Sequence, residues 1–242
     1  MNTLTRRQRE FLQREQLFLD TARQILRSDG AAAFTMDRIA AQTEYAKGTV
    51  YKHFSCKEDI LCALCHESLV QLEKRFRHAL TLEGNHREKM MTLGTAYLLF
   101  THHFPEEFDI LIAVRTNNVR QKASPDRLQQ MLEADQRVHD VMQSLIGAAI
   151  AAGDLQLQAD ISLDEACFGL WAMAFGLLAL APVHDKMEQH DQMASPPLPP
   201  IQQIMLHQMN LLLDGYRWHP LSTEYDYQAS LNRILNHMDM FQ

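Results

Sequence analysis

Helix-starting and helix-ending residues recur along almost the whole chain, and apolar residues stand at helical spacing between them. Ser-x-x-Glu capping boxes at Ser55–Glu58 and Ser162–Glu165 each precede a long apolar-periodic segment. Gly30 and Gly153 stand where two such segments end, and Pro105 stands where another begins. No segment shows the period-two alternation of a half-buried strand. The sequence therefore predicts an all-α fold with about nine to ten helices.

The same signals place the ends of the helices and divide the chain. We expect a helix that ends at Gly30, followed by helices at 36–43, 47–54, 56–80, 86–103, 105–117, 125–152, 163–181, 201–218 and 222–240. Residues 182–200 are polar and then rich in proline, so they are predicted to form a loop. The expected organisation is an N-terminal arm at 1–15, a domain at 16–62 that continues into a linking helix to about 80, and a helical domain at 81–242.

Charge is divided unevenly along the chain. Residues 1–80 hold 13 Lys and Arg against 10 Asp and Glu, whereas residues 81–242 hold 10 against 20. A basic first part beside an acidic second part is a weak indication that only the first part meets a polyanion.

Neither a targeting segment nor a membrane span is predicted. The basic N-terminus is not followed by an apolar segment, so we expect no signal peptide. The longest apolar run, Ala166 to Ala181, has 16 residues, fewer than the roughly 20 that a membrane span needs. We expect this run to be buried, either in the core or against a partner. The four cysteines then favour reduced thiols and a cytoplasmic location.

Two short predicted helices joined by a tight turn, at 36–43 and 47–54, have the layout of a helix-turn-helix. The inward positions are Ile39, Ala40, Val50 and Phe54, and the polar positions outside are Lys47, Thr49, Tyr51, Lys52 and His53. Lysine suits phosphates or guanine edges, the threonine methyl group suits thymine, and the tyrosine hydroxyl suits phosphate. On spacing alone, the alternative is an ordinary solvated helix of a helical bundle.

Residues 16–64 resemble the N-terminal domain of the tetracycline-repressor family of transcriptional regulators. The matching residues of the first two helices are Leu19, Asp20, Thr21, Ala22, Ile25, Leu26, Gly30, Phe34, Thr35, Met36, Ile39 and Ala40. The most specific match is the octapeptide from Lys47 to Phe54, which is followed by Ser55, Lys57, Glu58 and Leu61. The resemblance implies a sequence-specific DNA-binding regulator that needs no cofactor.

The resemblance also implies roles for individual residues. Residues 36–43 are expected to cross the DNA backbone, and residues 47–53 to enter the major groove as the recognition helix. Thr35, Tyr51 and Lys57 are expected to contact phosphates, and Gly48 is expected to let the recognition helix come close to its neighbours. The expected partner is a palindromic double-stranded operator, contacted by Thr35, Ala46, Lys47, Gly48, Thr49, Tyr51, Lys52, His53 and Lys57.

The turn before the recognition helix departs from the family's pattern. The family has Gly, an apolar residue and then Ser or Thr, where this chain has Glu44, Tyr45 and Ala46. A non-glycine residue in a left-handed turn costs on the order of 1 kcal/mol, and the missing N-cap at Ala46 costs about 1 kcal/mol more. A packed domain tolerates losses of this size, so fold and role are expected to hold while site preference and affinity stay open.

A protein that reads two half-sites of DNA requires a dimer. The resemblance implies a seam made of two helices from each subunit, here 163–181 and 201–218. Small and apolar residues are expected at this seam, namely Gly169, Ala172, Gly176, Ile204, Gln208, Leu211 and Gly215. The alternative is that both helices belong to the core of a single chain.

The resemblance further implies a pocket for a small-molecule effector among the helices from 86 to 181. Its expected lining is Tyr97, Phe100, Phe104, Met142, Trp171 and Phe175. Such a lining is apolar and adaptable, so the effector is expected to be mostly apolar and to release a repressor from its operator.

A different switch is suggested by Cys62, Cys65 and His66, which share one face of the linking helix. Three such groups suit part of a metal site or a redox-responsive site. The plainer interpretation is that both cysteines are small buried hydrophobic residues.

An enzymatic alternative is an all-helical metal-dependent phosphohydrolase, because His-Asp dipeptides stand at His139–Asp140, His184–Asp185 and His190–Asp191. Two of these dipeptides fall in the predicted loop, where a metal site is hard to hold in place. The sequence contains no nucleophile elbow, no phosphate-binding glycine loop and no His-Glu-x-x-His motif. The chain is therefore predicted not to be an enzyme.

Overall fold

The computed structural model describes residues 4–116, 118–190 and 199–238 of the chain. Over these ranges the secondary structure is helical with no strand, which confirms the predicted all-α class. The helices are α1 (Arg6–Ala33), α2 (Met36–Gln42), α3 (Lys47–Val50), α4 (Lys57–Ala79), α5 (His86–His103), α6 (Pro105–Thr116), α7 (Val119–Lys122), α8 (Pro125–Ala152), α9 (Leu163–His190), α10 (Ile201–Gly215) and α11 (Tyr227–Met238).

Most helices end where local signals predicted. The helix α5 has the expected bounds, and Gly30 leaves the helical conformation near the end of α1 with φ 74°. Ser162 caps α9, since its Oγ accepts a hydrogen bond from the backbone N–H of Glu165 at 3.1 Å. These ends depend on contacts within a few residues, and such contacts can be read from a sequence.

The N-terminal arm predicted at 1–15 is helical from Arg6 onwards. Thr5 and Gln8 form a capping box that the sequence interpretation overlooked. The backbone N–H of Thr5 donates to Gln8 Oε1 at 2.8 Å, and the backbone N–H of Gln8 donates to Thr5 Oγ1 at 3.3 Å. No Gly or Pro follows before Gly30, so the helix continues without a break into the predicted domain.

The apolar helix does not end at Ala181, as predicted. The helix α9 runs through Pro182 to His190, so residues 182–190 are helical where a loop was predicted. Pro182 removes one backbone donor, but it is exposed, and residues 183–190 contain no further Pro or Gly that would end the helix. The predicted loop residues 191–198 lie outside the described part of the chain.

The chain forms two compact units. The first holds the residues up to Val70 together with Phe104–Asp135, and the second holds Gln71–His103 together with the residues from Gln136 onwards. In the first unit, α2 packs against both α1 and α3 around the buried side chains of Phe18, Ile39, Val50 and Phe54.

A polar network also holds the first unit together. Arg23 of α1 donates to Glu67 of α4 at 2.5 Å and to Glu107 of α6 at 2.9 Å. The hydroxyl of Ser68 donates to the same Glu107 carboxylate. Arg23 is shared by Glu67 and Glu107, and Glu107 is shared by Arg23 and Ser68. Movement of α6 must therefore change the contacts of both α1 and α4.

In the second unit, α5 packs against α9, α10 and α11. Arg87 of α5 is completely buried and donates to Asp214 Oδ1 at 2.6 Å, to Asn210 Oδ1 at 2.9 Å and to the carbonyl oxygen of Trp218 at 2.6 Å. Its guanidinium also lies 4.5 Å from the centre of the Tyr227 ring.

The neighbouring Glu88 ties α11 to the same end of α5. It accepts hydrogen bonds from Ser230 at 2.7 Å and from Arg233 at 2.6 Å. Burial alone would raise the pKa of Glu88, but these donors and Asn85 outweigh it and lower the pKa. We call Arg87, Glu88, Asp214, Ser230 and Arg233 the C-terminal ion-pair cluster.

Candidate nucleic-acid interface

The helix-turn-helix begins at Thr35, which caps α2. Its backbone is extended, and its Oγ1 accepts a hydrogen bond from the backbone N–H of Arg38 at 3.2 Å. Because the hydroxyl is used in this way and the residue is exposed, Thr35 presents the first turn of α2 to solvent.

Residues 47–54, which we call the recognition segment, have one side inside the protein and one side outside. Val50 and Phe54 are buried, whereas Lys47, Gly48, Tyr51 and Lys52 are exposed. The exposed positions follow the spacing i, i+1, i+4 and i+5, so they share one side of the segment. Three of the predicted DNA contacts, Lys47, Tyr51 and Lys52, therefore offer two ammonium groups and a phenol to the same side.

Two further predicted contacts, Ala46 and Lys57, are exposed, and Thr49 is half-buried. Ala46 makes no side-chain cap to α3, as expected from its missing hydroxyl. A Cβ atom added at Gly48 would meet no other atom within 4 Å. The expectation that Gly48 allows close packing within the chain is therefore wrong, and the small residue leaves open space on the exposed side.

His53 stands apart from the other predicted DNA contacts because its side chain is only 2% exposed. The imidazole stacks on Phe11 with ring centroids 3.8 Å apart and lies 5.3 Å from Phe18. Its Nδ1 lies 3.4 Å from a carboxylate oxygen of Glu15. Burial lowers the pKa of His53, and Glu15 only partly opposes that effect. The residue closes the recognition segment against α1 and is not available to DNA.

Glu15 links this histidine to the start of α8. Its other carboxylate oxygen accepts a hydrogen bond from Arg127 at 2.7 Å, and the Arg127 guanidinium lies 4.9 Å from the centre of the Phe54 ring. The residues at the end of the recognition segment are thus held by α1 and α8 together. No sequence motif marks Glu15, whose two partners are distant along the chain.

Two cations of the helix-turn-helix, Lys47 and Arg38, have carboxylate neighbours. Lys47 Nζ lies 2.7 Å from Asp37 Oδ2, and the two side chains are 62% and 63% exposed. Arg38 likewise pairs with Asp29. Exposed ion pairs contribute about 0–1 kcal/mol, so a phosphate can replace such a carboxylate at small cost.

The unusual turn adopts the strained backbone that the sequence predicted. Glu44 has φ 57°, in the left-handed region that favours glycine. Tyr45 then packs edge-on against Phe18, with ring centroids 5.5 Å apart. Such aromatic contacts contribute about 0.5–1.5 kcal/mol, which offsets a strain of similar size.

The start of α4 differs from the predicted capping box, because Asp59 acts in place of Glu58. Asp59 Oδ2 accepts from the backbone N–H and the hydroxyl of Ser55 at 2.8 and 2.6 Å. Its Oδ1 accepts from the backbone N–H of Ser124 at 2.7 Å. Burial favours a higher pKa for Asp59, but these hydrogen bonds outweigh it and lower the pKa.

The predicted effector-lining residues lie in different surroundings. Tyr97, Phe100 and Met142 are buried, while Trp171 and Phe175 are half-buried and stack with ring centroids 5.2 Å apart. The sixth residue, Phe104, is half-buried and belongs to the first unit, unlike the other five. A groove of about 410 Å³ lies elsewhere in the second unit and is lined by none of the six.

The predicted seam residues lie on the less buried sides of α9 and α10. Gly169, Ala172, Gly176 and Ile204 are half-buried, and Gln208, Leu211 and Gly215 are exposed. Leu170, Ala174 and Leu178 of α9 and Met205, Met209 and Leu213 of α10 are instead buried within the chain.

The outward sides of these helices are unusually apolar. Leu211 is 67% exposed and Phe168 is 61% exposed. The stretch Leu163–Pro182 is apolar and long enough to cross a membrane, and only 28% of its most apolar window is buried within the chain. Length and composition alone are weak support for a membrane span, and the same exposure fits a helix that a second protein surface covers.

The thiols of the linking helix are buried. Burial raises the pKa of Cys62 to about 11 and that of Cys65 to about 12, and the thiolate is the reactive form. The Nδ1 of His66 is already engaged with the carbonyl oxygen of Gln130 at 2.9 Å. Among the described residues, no three His, Cys, Asp or Glu side chains are grouped as metal ligands. The side chains of the dipeptides His184–Asp185 and His190–Asp191 lie outside the described residues.

Comparison with known proteins agrees with the geometry of the N-terminal region. Residues 18–64 match the model of the family described as bacterial regulatory proteins, tetR family. The fatty acid metabolism regulator protein of Bacillus subtilis (strain 168) is 23% identical over 145 residues, which cover 60% of this chain and 72% of that protein.

Solved structures extend the likeness to most of the chain. A bacterial regulatory protein of the tetR family from Rhodococcus RHA1 has a TM-score of 0.59 and 17% identity, covering 84% of this chain and 96% of its own. The fatty acid degradation regulator FadR from Bacillus halodurans has a TM-score of 0.59 and 16% identity, covering 85% and 97%. At these identities the structures establish a shared fold, and the family match itself is confined to residues 18–64. The N-terminal region is therefore similar to the tetR family of bacterial regulatory proteins, and the chain shares the helical fold of these solved regulators.

Proposed function

We propose that this transcriptional regulator is a repressor that binds a palindromic operator as a homodimer and leaves it when a small, mostly apolar effector binds. The observation that carries the proposal is the exposed side of the recognition segment. Lys47, Tyr51 and Lys52 point away from buried Val50 and Phe54. This arrangement serves DNA binding rather than catalysis, so the chain is not proposed to be an enzyme.

The roles proposed at the DNA follow from exposure and chemistry. Tyr51, Lys57 and Thr35 contact phosphates, which sets affinity and its dependence on salt. Lys47 and Thr49 face base edges and set the preferred sequence. Lys52 adds a further phosphate contact, while Ala46 and Gly48 allow the backbone to approach the groove.

The dimer is proposed to form through α9 and α10. Their exposed apolar sides, represented by Phe168 and Leu211, would otherwise remain in contact with water. Gly176 has no atom within 4 Å of an added Cβ within the chain, so it leaves room for a helix of the partner. A second copy satisfies the two half-sites of a palindrome.

The effector is proposed to act through helices that run through both compact units. The helices α4 and α8 each begin in the first unit and end in the second. A ligand that shifts either helix changes the spacing of the two recognition segments, and fixed half-sites then reject the dimer. The relative named for fatty acid metabolism favours an effector that carries an acyl chain.

The redox- or metal-responsive alternative has less support. Cys62 and Cys65 are buried with raised pKa values, which disfavours the reactive thiolate at neutral pH.

Selection of bound duplexes from a random-sequence pool tests the proposal. The full chain is expected to enrich a palindrome. Tyr51→Phe and Lys57→Ala should weaken binding to all sequences and flatten the salt dependence, while Lys47 variants should change the selected sequence. Lys74→Ala on α4 is the control, because this lysine is exposed outside the helix-turn-helix. The regulator proposal fails if the wild type retains no duplex at low salt.

A further inference from the structure

An open groove of about 410 Å³ crosses the second unit between the end of α4, the start of α5 and the middle of α8. Ligand sites in proteins span roughly 300–1,000 Å³, so the groove has room for a small molecule. None of the residues assigned above to DNA, dimer or effector binding lines it.

The lining of the groove includes basic side chains whose hydrogen-bond donors are not all used. The side chain of Lys89 makes no hydrogen bond or ion pair with any described residue. Arg77 donates its Nε to Glu73 at 2.9 Å, which leaves its terminal nitrogens without a partner among those residues. His86 is oriented by its Nδ1, which lies 2.6 Å from a carboxylate oxygen of Asp154. Unpaired donors beside a concave surface are suited to an anionic group.

The floor of the groove is apolar. Val141 and Leu145 of α8 are buried at the groove, and Leu80, which follows the end of α4, is half-buried there. A purely polar anion would leave this surface in contact with water, whereas an anion with a hydrocarbon chain would cover it. The lining therefore favours an amphipathic ligand.

Asp140 is the single carboxylate among the described residues that line the groove. It accepts a hydrogen bond from Gln136 at 2.8 Å on the same helix and remains exposed at the groove. Counted over the lining residues alone, Arg77 and Lys89 outnumber Asp140 by one charge when His86 is neutral. Because Arg77 already pairs with Glu73, the side chain of Lys89 is the lining cation without a carboxylate partner among the described residues, and it can meet one negative charge on the ligand.

We propose that this groove binds an amphipathic monocarboxylate, with Lys89 and Arg77 on the carboxylate and the hydrocarbon chain over Val141 and Leu145. As the effector of the proposed repressor, such a ligand rests on the function proposed above. Its binding, however, can be measured without DNA.

Titration calorimetry of the full chain with octanoate tests the site, with octan-1-ol as the uncharged probe of the same chain length. Octanoate should bind, and octan-1-ol should bind at least tenfold more weakly, because it lacks the charge-assisted hydrogen bonds. Lys89→Gln should weaken octanoate binding about tenfold, and Lys74→Gln, which removes an exposed charge of α4 outside the groove, should leave it unchanged.

Asp140→Asn supplies a test that a folding defect cannot imitate, because it should strengthen octanoate binding by removing a repulsive charge. The proposal is overturned if octan-1-ol binds as well as octanoate, if Lys89→Gln and Lys74→Gln act alike, or if Asp140→Asn weakens binding.

The two proposals fail separately. If the wild type selects a palindrome but Lys89→Gln and Asp140→Asn do not change octanoate binding, only the groove assignment is wrong. If these variants change octanoate binding as expected but no duplex is retained, the proposed repressor function is wrong and the groove assignment is supported.

Discussion

The ion pairs of the helix-turn-helix and those of the C-terminal ion-pair cluster differ in how much water reaches them. Lys47 and Asp37 are each more than 60% exposed and form one contact. Arg87 is completely buried and bonds to side chains and backbone carbonyls of the α10 end. Lys47, which is proposed to exchange its carboxylate partner for DNA, stands in water, whereas Arg87, which joins α5 to the end of α10, does not.

Removal of Arg87 should give the largest effect and marks one end of this comparison. Arg87→Ala leaves Asp214 without its partner and opens a buried site, so the free energy of unfolding should fall by about 3–5 kcal/mol. Urea denaturation of the full chain measures the loss. Arg6→Ala, which breaks an exposed pair with Glu10 on α1, should leave the stability unchanged. A loss below about 1 kcal/mol for Arg87→Ala would show that the cluster is not a stabilising element.

The two sides of α10 extend the comparison to apolar residues. Leu213 is completely buried within the chain, whereas Leu211 is 67% exposed. Leu211→Glu should weaken dimerisation by about 3 kcal/mol, roughly a hundredfold, because the charge is buried only in the dimer. Light scattering and sedimentation should then show a folded monomer. Leu213→Glu should instead unfold the chain, and loss of folding by Leu211→Glu would contradict the proposed seam.

The exposed pair of Lys47 and Asp37 is tested by Asp37→Asn, which should raise the affinity for DNA slightly. The substitution frees Lys47 and removes a repulsive charge, and an exposed pair is worth at most about 1 kcal/mol, so a gain of roughly twofold to fivefold is expected. Fluorescence anisotropy with a selected duplex measures it. Asp126→Asn, which removes the same charge from the exposed start of α8, is the control. Equal gains for both variants would mean that net charge alone is responsible.

The smallest effect concerns the protonation of the His53 imidazole, which is buried although it adjoins the exposed side of the recognition segment. Its pKa is lowered from an ordinary value near 6.5, mainly by burial, with Arg14 and Arg127 adding to the shift and Glu15 opposing it. The unfolded chain therefore takes up a proton more readily than the folded one. The neutral imidazole therefore contributes to the free energy of unfolding. This contribution is complete above pH 6.5 and is lost as the pH falls from there to the lowered pKa.

A variant without this titration should show a weaker dependence of stability on pH. His53→Gln is expected to reduce the loss of stability on acidification below pH 6.5, measured by urea denaturation at several pH values. The exposed His207→Gln on α10 serves as the control. An unchanged slope for His53→Gln would show that the buried imidazole does not contribute.

Much of the fold followed from local sequence signals. The ends of α5 and the cap at Ser162 were predicted because each depends on hydrogen bonds within about four residues. The start of α1 at Thr5 and Gln8 carried the same kind of signal and was overlooked. The continuation of α9 past Pro182 was not predicted, because proline disfavours a helix without always ending one.

The candidate DNA-facing residues were predicted less completely. The octapeptide identified Lys47, Tyr51 and Lys52, but it gave no means to separate them from His53. That distinction depends on Glu15, which stands 38 residues earlier and has no motif of its own.

The sequence by itself determined the helical class, the places where most helices begin and end, and the relation of residues 16–64 to a family of DNA-binding regulators. Only the tertiary structure decided that the His53 side chain is buried, that Leu211 faces outwards while Leu213 faces inwards, and that Arg87 meets Asp214 across 127 residues. Helix caps are local hydrogen bonds, whereas burial depends on which distant segments fold against a residue.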